Sequence, residues 1–222
     1  MSRCMIDGVE WKVSPGLTPY ADSLAAMERR AAAVRAGTAP ELAWLVEHPP
    51  IFTAGTSAHP AELFNPQGFD VAEAGRGGRY TYHGPGQRVG YLMIDLDRRG
   101  RDIRHFVHCL EGWIIDVLAA LDVAARRECG RIGIWTGTGN GEAKIGAIGV
   151  RVKRWVTLHG FSINVAPDLA HFSGIVPCGI EQYGVTSLEA LGRSSQMTDL
   201  DAALSAEFPA FLANLGQKSK QA

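Results

Sequence analysis

The chain has 222 residues, 46% of them hydrophobic and 20% charged, with a formal net charge of −1. That make-up suits a soluble globular domain and argues against non-specific nucleic-acid binding, because no basic excess exists to release counterions. No stretch approaches the roughly 20 apolar residues of a membrane span, and Met1-Ser2-Arg3-Cys4-Met5 lacks the apolar core of a signal peptide. Cys4, Cys109, Cys129 and Cys178 show no paired spacing, which favours reduced thiols and a cytoplasmic location.

A short strand is expected at residues 9–13, then a helix over 17–36, with Thr18 and Pro19 as N-cap and first-turn proline and Gly37 as its stop. Residues 42–47 and 51–54 read as strands split by His48-Pro49-Pro50, and 60–69 as loop. Next comes the most unusual stretch of the chain, Gly75-Arg76-Gly77-Gly78-Arg79-Tyr80-Thr81-Tyr82-His83-Gly84-Pro85-Gly86-Gln87. Glycine is used where backbone must take φ > 0 or come close to a ligand. So many glycines alternating with ring and cationic side chains describe a backbone bent around something. Strands at 79–82 and 88–95 flank the bend.

Residues 102–123 carry the clearest helical period, with Ile103, Phe106, Val107, Leu110, Ile114, Val117, Leu118 and Leu121 recurring on one face. Strands follow at 132–135, 143–152 and 155–165, with Lys153-Arg154 as a hairpin tip. A short helix is expected at 168–172, closing helices at 187–191 and 198–215, and a frayed tail at 217–222. No repeat or linker divides the chain, so the expectation is one catalytic domain over 1–222 of α/β (α+β) class, a mixed β-sheet packed with helices.

Cys178 stands between Pro177 and Gly179. A free cysteine can be a small buried hydrophobe or a nucleophile. Here the thiol lies on a bend, and Gly179 leaves a backbone N–H open as an oxyanion donor. Lys144, in the small apolar run from Ala143 to Val150, is either a solvated face residue or an ammonium held beside a thiol. Moving a thiol pKa from about 8.5 to about 6.5 raises its ionised fraction at pH 7 from about 3% to about 75%. Nucleophilicity falls meanwhile by about eightfold, so the net gain is only about threefold. A lysine partner is therefore more useful for proton transfer. His83 and His159 are each a structural histidine or a general base; period-two alternation puts Trp155, Thr157 and His159 on one face. Asp102, His105 and Cys109 read as a polar helix face, with no metal-site spacing behind them. No complete phosphate loop or dinucleotide fingerprint is present.

Three segments together resemble the octanoyltransferases of lipoate biosynthesis, the lipoyl(octanoyl) transferase family. They are Arg76-Gly77-Gly78-x-x-Thr81-Tyr82-His83-Gly84-Pro85-Gly86-Gln87; Lys144-Ile145-x-x-Ile148-Gly149 followed by His159-Gly160-Phe161 and Asn164; and Gly174-Ile175-x-x-Cys178-Gly179-Ile180 followed by Gly184-Val185-Thr186-Ser187-Leu188. The likeness runs from about residue 44 to 191. It implies the fold of biotin and lipoate protein ligases. It also implies transfer of an octanoyl group from octanoyl-acyl carrier protein to a lysine of apo lipoyl domains or of the glycine-cleavage H protein. In the family the residue matching Cys178 carries the acyl group as a thioester, and the lysine matching Lys144 is its partner. Substrate contacts match Arg76, Gly77, Gly78, Arg79, Tyr80, Thr81, Tyr82 and His83; Ala147, Ile148 and Gly149; and Gly160, Phe161 and Ser162. His159 and Gly179 are supporting residues.

A thioester donor is already activated, so no cofactor, ATP or metal is expected beyond the carrier's own phosphopantetheine. Two rivals are an ATP-dependent lipoate or biotin protein ligase, whose adenylate-binding loop Gly75-Arg76-Gly77-Gly78-Arg79 superficially resembles, and a related thiol enzyme passing acyl groups between lipoyl proteins. A third is a non-catalytic acyl-binding module.

Overall fold

A computed structural model describes residues 4–139, 141–176 and 183–217. Among these, β1 (Cys4–Ile6), β2 (Val9–Leu17), β3 (Leu42–Glu47), β7 (Gln87–Met93), β11 (Val156–Asn164), β10 (Gly141–Lys153), β9 (Arg131–Thr138) and β8 (Ala125–Glu128) lie side by side in that order. A ninth strand, β12 (Gly184–Val185), pairs with β10. The β2/β3 and β10/β12 pairs are parallel and the others antiparallel, which makes the sheet mixed, as expected. A smaller sheet sets β4 (Ile51–Ala54) between β5 (Asp70–Glu73) and β6 (Thr81–His83).

Alternation along the central strands decides which helix covers which face. Leu42, Trp44 and Val46 of β3, with Val89, Tyr91 and Met93 of β7, pack on Met27, Ala31 and Val34 of α1 (Tyr20–Arg35). Ala43, Leu45, Leu92 and Ile94 point the other way, into a core formed with α2 (Ile103–Ala120) and α3 (Met197–Gly216). Covered on both sides, β7 is buried at all of its positions. None of the described helices is long and apolar enough to cross a membrane.

Several boundaries differ from the sequence expectation, each for a local reason. The first long strand runs on to Leu17 because it follows β3, and Thr18 N donates to Glu47 O at 2.8 Å. Thr18 is thereby tied to the sheet, and α1 starts behind Pro19 with no side-chain cap. The second helix begins one residue later than expected, because Asp102 is its cap, its carboxylate accepting from His105 N at 2.9 Å. The segments at 168–172 and 187–191 are 3-10 turns, Leu169–Gly174 and Glu189–Leu191. β1, β5, β8 and β12 lack a strong apolar alternation and were not expected. The tail residues 218–222 lie outside the described residues.

The hairpin tip also moves by one residue. Lys153 pairs with Val156, so Arg154 and Trp155 form the two-residue turn, at φ 50° and 67°. His159 takes φ 62° within β11. Alternation alone would put it with Thr157, yet it meets Tyr20 of α1 and Tyr91, on the same side as Leu158. The left-handed residue turns its side chain across the sheet. The expected grouping of Trp155, Thr157 and His159 on one face therefore fails.

At the sheet's centre, Gly90 leaves room for the Phe161 ring of the neighbouring strand; a Cβ there would lie 2.2 Å from two ring atoms. Gly90→Ala is expected to cost about 1–3 kcal/mol by overpacking, read as a lower urea midpoint with unchanged slope.

Candidate functional site

The glycine-rich run folds around its own arginine. Arg76 is 8% exposed. One terminal nitrogen of its guanidinium donates to Thr53 O at 2.9 Å and Thr53 Oγ1 at 2.8 Å; the other donates to Gly77 O at 3.0 Å and Arg79 O at 3.1 Å. The planar, permanently charged fork thus holds the loop against β4. The backbone repeats the join: Thr56 N donates to Arg76 O, Ser57 N to Gly78 O, and Gly77 N to Val150 O of β10. The result is a bent loop fixed over the β10/β11 surface.

Between that loop and the strands lies a cavity of about 660 Å³. Its walls include residues 76–81 and His83, residues 147–149, residues 160–162, Lys144 and His159. Among the described lining residues the cations are Arg76, Arg79, Arg131 and Lys144, and there is no carboxylate. Tyr82, expected as a substrate contact, is absent from these walls. Its side chain turns the other way in the period-two strand, onto Phe52 and Phe172, and its hydroxyl lies 2.8 Å from His171 Nδ1. Cys178 and Gly179 lie outside the described residues.

Lys144 is 7% exposed, so it is not a solvated face residue. A register shift between Lys144 and Gly146 marks a bulge in β10, a device that re-aims a side chain. The ammonium donates to Ile132 O at 2.7 Å and lies 5.6 Å from the Trp135 ring centre. Its main chain enters a longer chain of bonds. Thr186 N donates to Lys144 O at 2.9 Å, and Asn164 Nδ2 donates to Thr186 O at 2.9 Å. Because that amide nitrogen faces a carbonyl, Asn164 Oδ1 is the acceptor for Gln87 Nε2 at 2.9 Å. Gln87 Oε1 must then accept, so the His83 nitrogen 2.6 Å away, Nδ1, carries the proton. His83 Nε2 keeps its lone pair.

His159 pairs with Val150, six positions along β10 from Lys144 (144 to 150). At about 3.3 Å per residue that separates the two backbones by roughly 20 Å. His159 is therefore not Lys144's immediate neighbour. Its Nε2 lies 3.3 Å from Tyr20 Oη, and its Nδ1 is buried with no hydrogen-bond partner among the described residues. Nearby, His48 Nε2 meets Tyr91 Oη at 2.6 Å.

The imidazoles and the Tyr20 phenol at this end of the cavity are neutral, beside the Arg76 charge. Burial, then the neighbouring His48, brings His83 down to about 3; burial, then the positive Arg76, does the same for His159. Burial pushes the Tyr20 phenol up to about 12. Tyr20, His48 and Tyr91 were missed by the sequence reading because each lies outside the quoted motifs. Only the fold brings them together.

Residues 19–209 match the lipoyl protein ligase A/B catalytic domain family. The chain belongs to that family. The octanoyltransferase of Sphingopyxis alaskensis is 68% identical over 207 residues, covering 93% of this chain and 95% of that protein. Among solved structures, the bi-partite lipoate protein ligase of Thermoplasma acidophilum superposes with a TM-score of 0.70 at 16% identity, covering 91% of this chain and 83% of that one. The biotin protein ligase of Aquifex aeolicus gives 0.51 at 11% identity, covering 97% and 72%. The fold expected from the motifs, shared between lipoate and biotin ligases, is borne out.

The buried histidines give the lipoyl ligase fold an acid weakness. A histidine at about 3 when folded and about 6.5 when unfolded binds its proton first in the unfolded chain. Its contribution to stability is complete above pH 6.5 and is lost as pH falls towards 3. Between pH 8 and pH 5 each should cost about 2 kcal/mol. Urea titrations at the two pH values should show that loss, reduced in His83→Gln and in His159→Gln.

Proposed function

We propose that this chain, an octanoyltransferase, moves an octanoyl group from octanoyl-acyl carrier protein to a lysine of apo lipoyl domains through a thioester on Cys178. The carrying observation is the cavity walled by the glycine-rich loop on one side and reached by the Lys144 ammonium on the other. Its volume falls in the range of small-molecule sites, roughly 300–1,000 Å³. Val89, Ile148, Val150 and Phe161 supply apolar walls. Six buried methylenes at about 0.8 kcal/mol each contribute about 5 kcal/mol to holding the chain.

In the first half, Cys178 thiolate attacks the donor carbonyl carbon and the carbon–sulfur bond to the carrier breaks. Lys144 gives its proton to the departing pantetheine sulfur and becomes a neutral amine. Gly179 N–H is one proposed donor to the oxyanion. In the second half, the acceptor lysine, which arrives mostly charged and first loses one proton to water, attacks the Cys178 thioester. The attacking nitrogen passes a second proton to Lys144, and Cys178 leaves as thiolate. Each group ends as it began.

A thioester donor already carries the activation that a ligase draws from ATP, so we assign no cofactor to this reaction. Its proposed partners are octanoyl-acyl carrier protein and lipoyl domains, including the glycine-cleavage H protein. The proposed compartment is the cytoplasm.

Incubation with octanoyl-acyl carrier protein should add one hydroxylamine-sensitive octanoyl group to the intact protein, seen by mass spectrometry and lost when apo lipoyl domain is added. Cys178→Ser should show no such adduct. Lys144→Gln should lower turnover by about 100-fold or more, in line with loss of a positioned acid–base group. An adduct on Cys109 or Cys129 would overturn the assignment. Transfer from octanoate and ATP, unaffected by Cys178→Ala, would point to a ligase.

A further inference from the structure

We infer that Gly133 is a positioning residue for Lys144: the missing side chain at this one position of β9 is the slot through which the lysine reaches the cavity. The inference rests on the acid–base role proposed for Lys144 and adds the device that aims it.

Gly133 lies next to Ile132, whose carbonyl receives the ammonium at 2.7 Å. Its backbone is at φ 122°, outside the range L side chains readily adopt. A Cβ there would stand 2.2 Å from Lys144 Cε and 2.7 Å from Nζ, with Gly146 O at 2.9 Å behind it. No real carbon sits that close to another non-bonded heavy atom, so a methyl and the present course of Lys144 exclude each other.

The slot has matching parts on both strands. On β10 the bulge after Lys144 shifts the strand's register, so that Lys144 pairs with Trp135 while Gly146 pairs with Ile134. On β9, Gly133 opens the path, Ile132 O fixes the nitrogen, and the Trp135 ring lies 5.6 Å from the charge. Ile132 is 66% exposed, and both it and Lys144 line the cavity. Ile132 thus contributes its main-chain carbonyl rather than its exposed side chain, and Gly133, which is buried, contributes the room. A lysine with its long flexible stem needs such a guide, because misplacing a reacting group by about 1 Å can cost about 100-fold in rate.

Gly141 provides a control for backbone strain. It has φ 116° in the same strand pair, and nothing lies within 4 Å of a Cβ built on it. Gly133→Ala and Gly141→Ala thus carry similar backbone strain, and only the first meets other atoms, the Lys144 end and, at 2.9 Å, Gly146 O.

The test measures both variants with octanoyl-acyl carrier protein and apo lipoyl domain. Gly133→Ala should lower kcat by about 100-fold while KM for the lipoyl domain stays within about twofold. Gly141→Ala should keep wild-type kcat. A brief acetic anhydride pulse with peptide mass mapping supplies a readout independent of turnover: Lys144 should label several-fold faster in Gly133→Ala and unchanged in Gly141→Ala. Equal labelling and equal kcat in the two variants would overturn the inference. If Lys144→Gln keeps full turnover, the acid–base role fails, and the labelling still decides whether the slot exists. Should Gly133→Ala not fold, the double variant with Lys144→Ala decides. Recovery of a melting transition marks the lysine as the obstacle, and continued failure to fold assigns the defect to backbone strain and rejects the slot.

Discussion

The buried guanidinium of Arg76 is the interaction on which the cavity rests. Its bonds run to Thr53 on β4 and to carbonyls of its own loop, while the loop's backbone is joined to residues 55–57 and to Val150. The packing around it is equally tight: a Cβ on Gly55 would lie 2.1 Å from Gly78 O. A charge this deep is tolerated only when its donors are satisfied, and here carbonyl and hydroxyl oxygens take up donors on both terminal nitrogens. The buried cation helps keep His159 neutral.

That neutrality shapes the chemistry of the site. With His83 and His159 both held near 3, both imidazoles are neutral at physiological pH, and the proposed mechanism gives the proton transfers to Lys144. His83 is better suited to accept a hydrogen bond than to act as an acid. Its tautomer is set through Gln87, Asn164 and Thr186, and the same Thr186 binds the main chain of Lys144. One run of hydrogen bonds thus orients the imidazole and anchors the strand that carries the ammonium. Such networks rigidify a site because each member's orientation depends on the next.

The sequence made the outline legible where periodicity or glycine density is strong. Residues 42–47 and 51–54 form strands with the expected limits, and the long helix beginning after Asp102 follows its apolar period. The glycine-rich run could be read as a bend around a ligand because its composition has few other uses. What escaped reading depends on single dihedral angles. Alternation assigns His159 to the wrong face because one left-handed residue reverses it, and the hairpin tip moves because Trp155 adopts a positive φ. Tyr82 shows the opposite case: it belongs to the motif, yet plain strand alternation turns it inward to support the loop from behind. Membership in a motif and contact with the cavity are separate properties, and the second is decided by side-chain parity.

The same distinction explains why Lys144 is difficult to recognise from its neighbours. An apolar, glycine-containing run gives no sign that the ammonium is held, because one group that holds it is a main-chain carbonyl on another strand. Main-chain acceptors leave no trace in side-chain identity; they leave one in the residues that permit the approach. In the proposed mechanism Lys144 both gives and takes a proton, and a carbonyl holds it by a hydrogen bond meanwhile. Since thiolate formation by itself yields only about a threefold gain, proton transfer is the step that placement of the lysine can improve most. Under that proposal the closeness of β9 backbone to this side chain serves the chemistry, and it is met by leaving an atom out at Gly133.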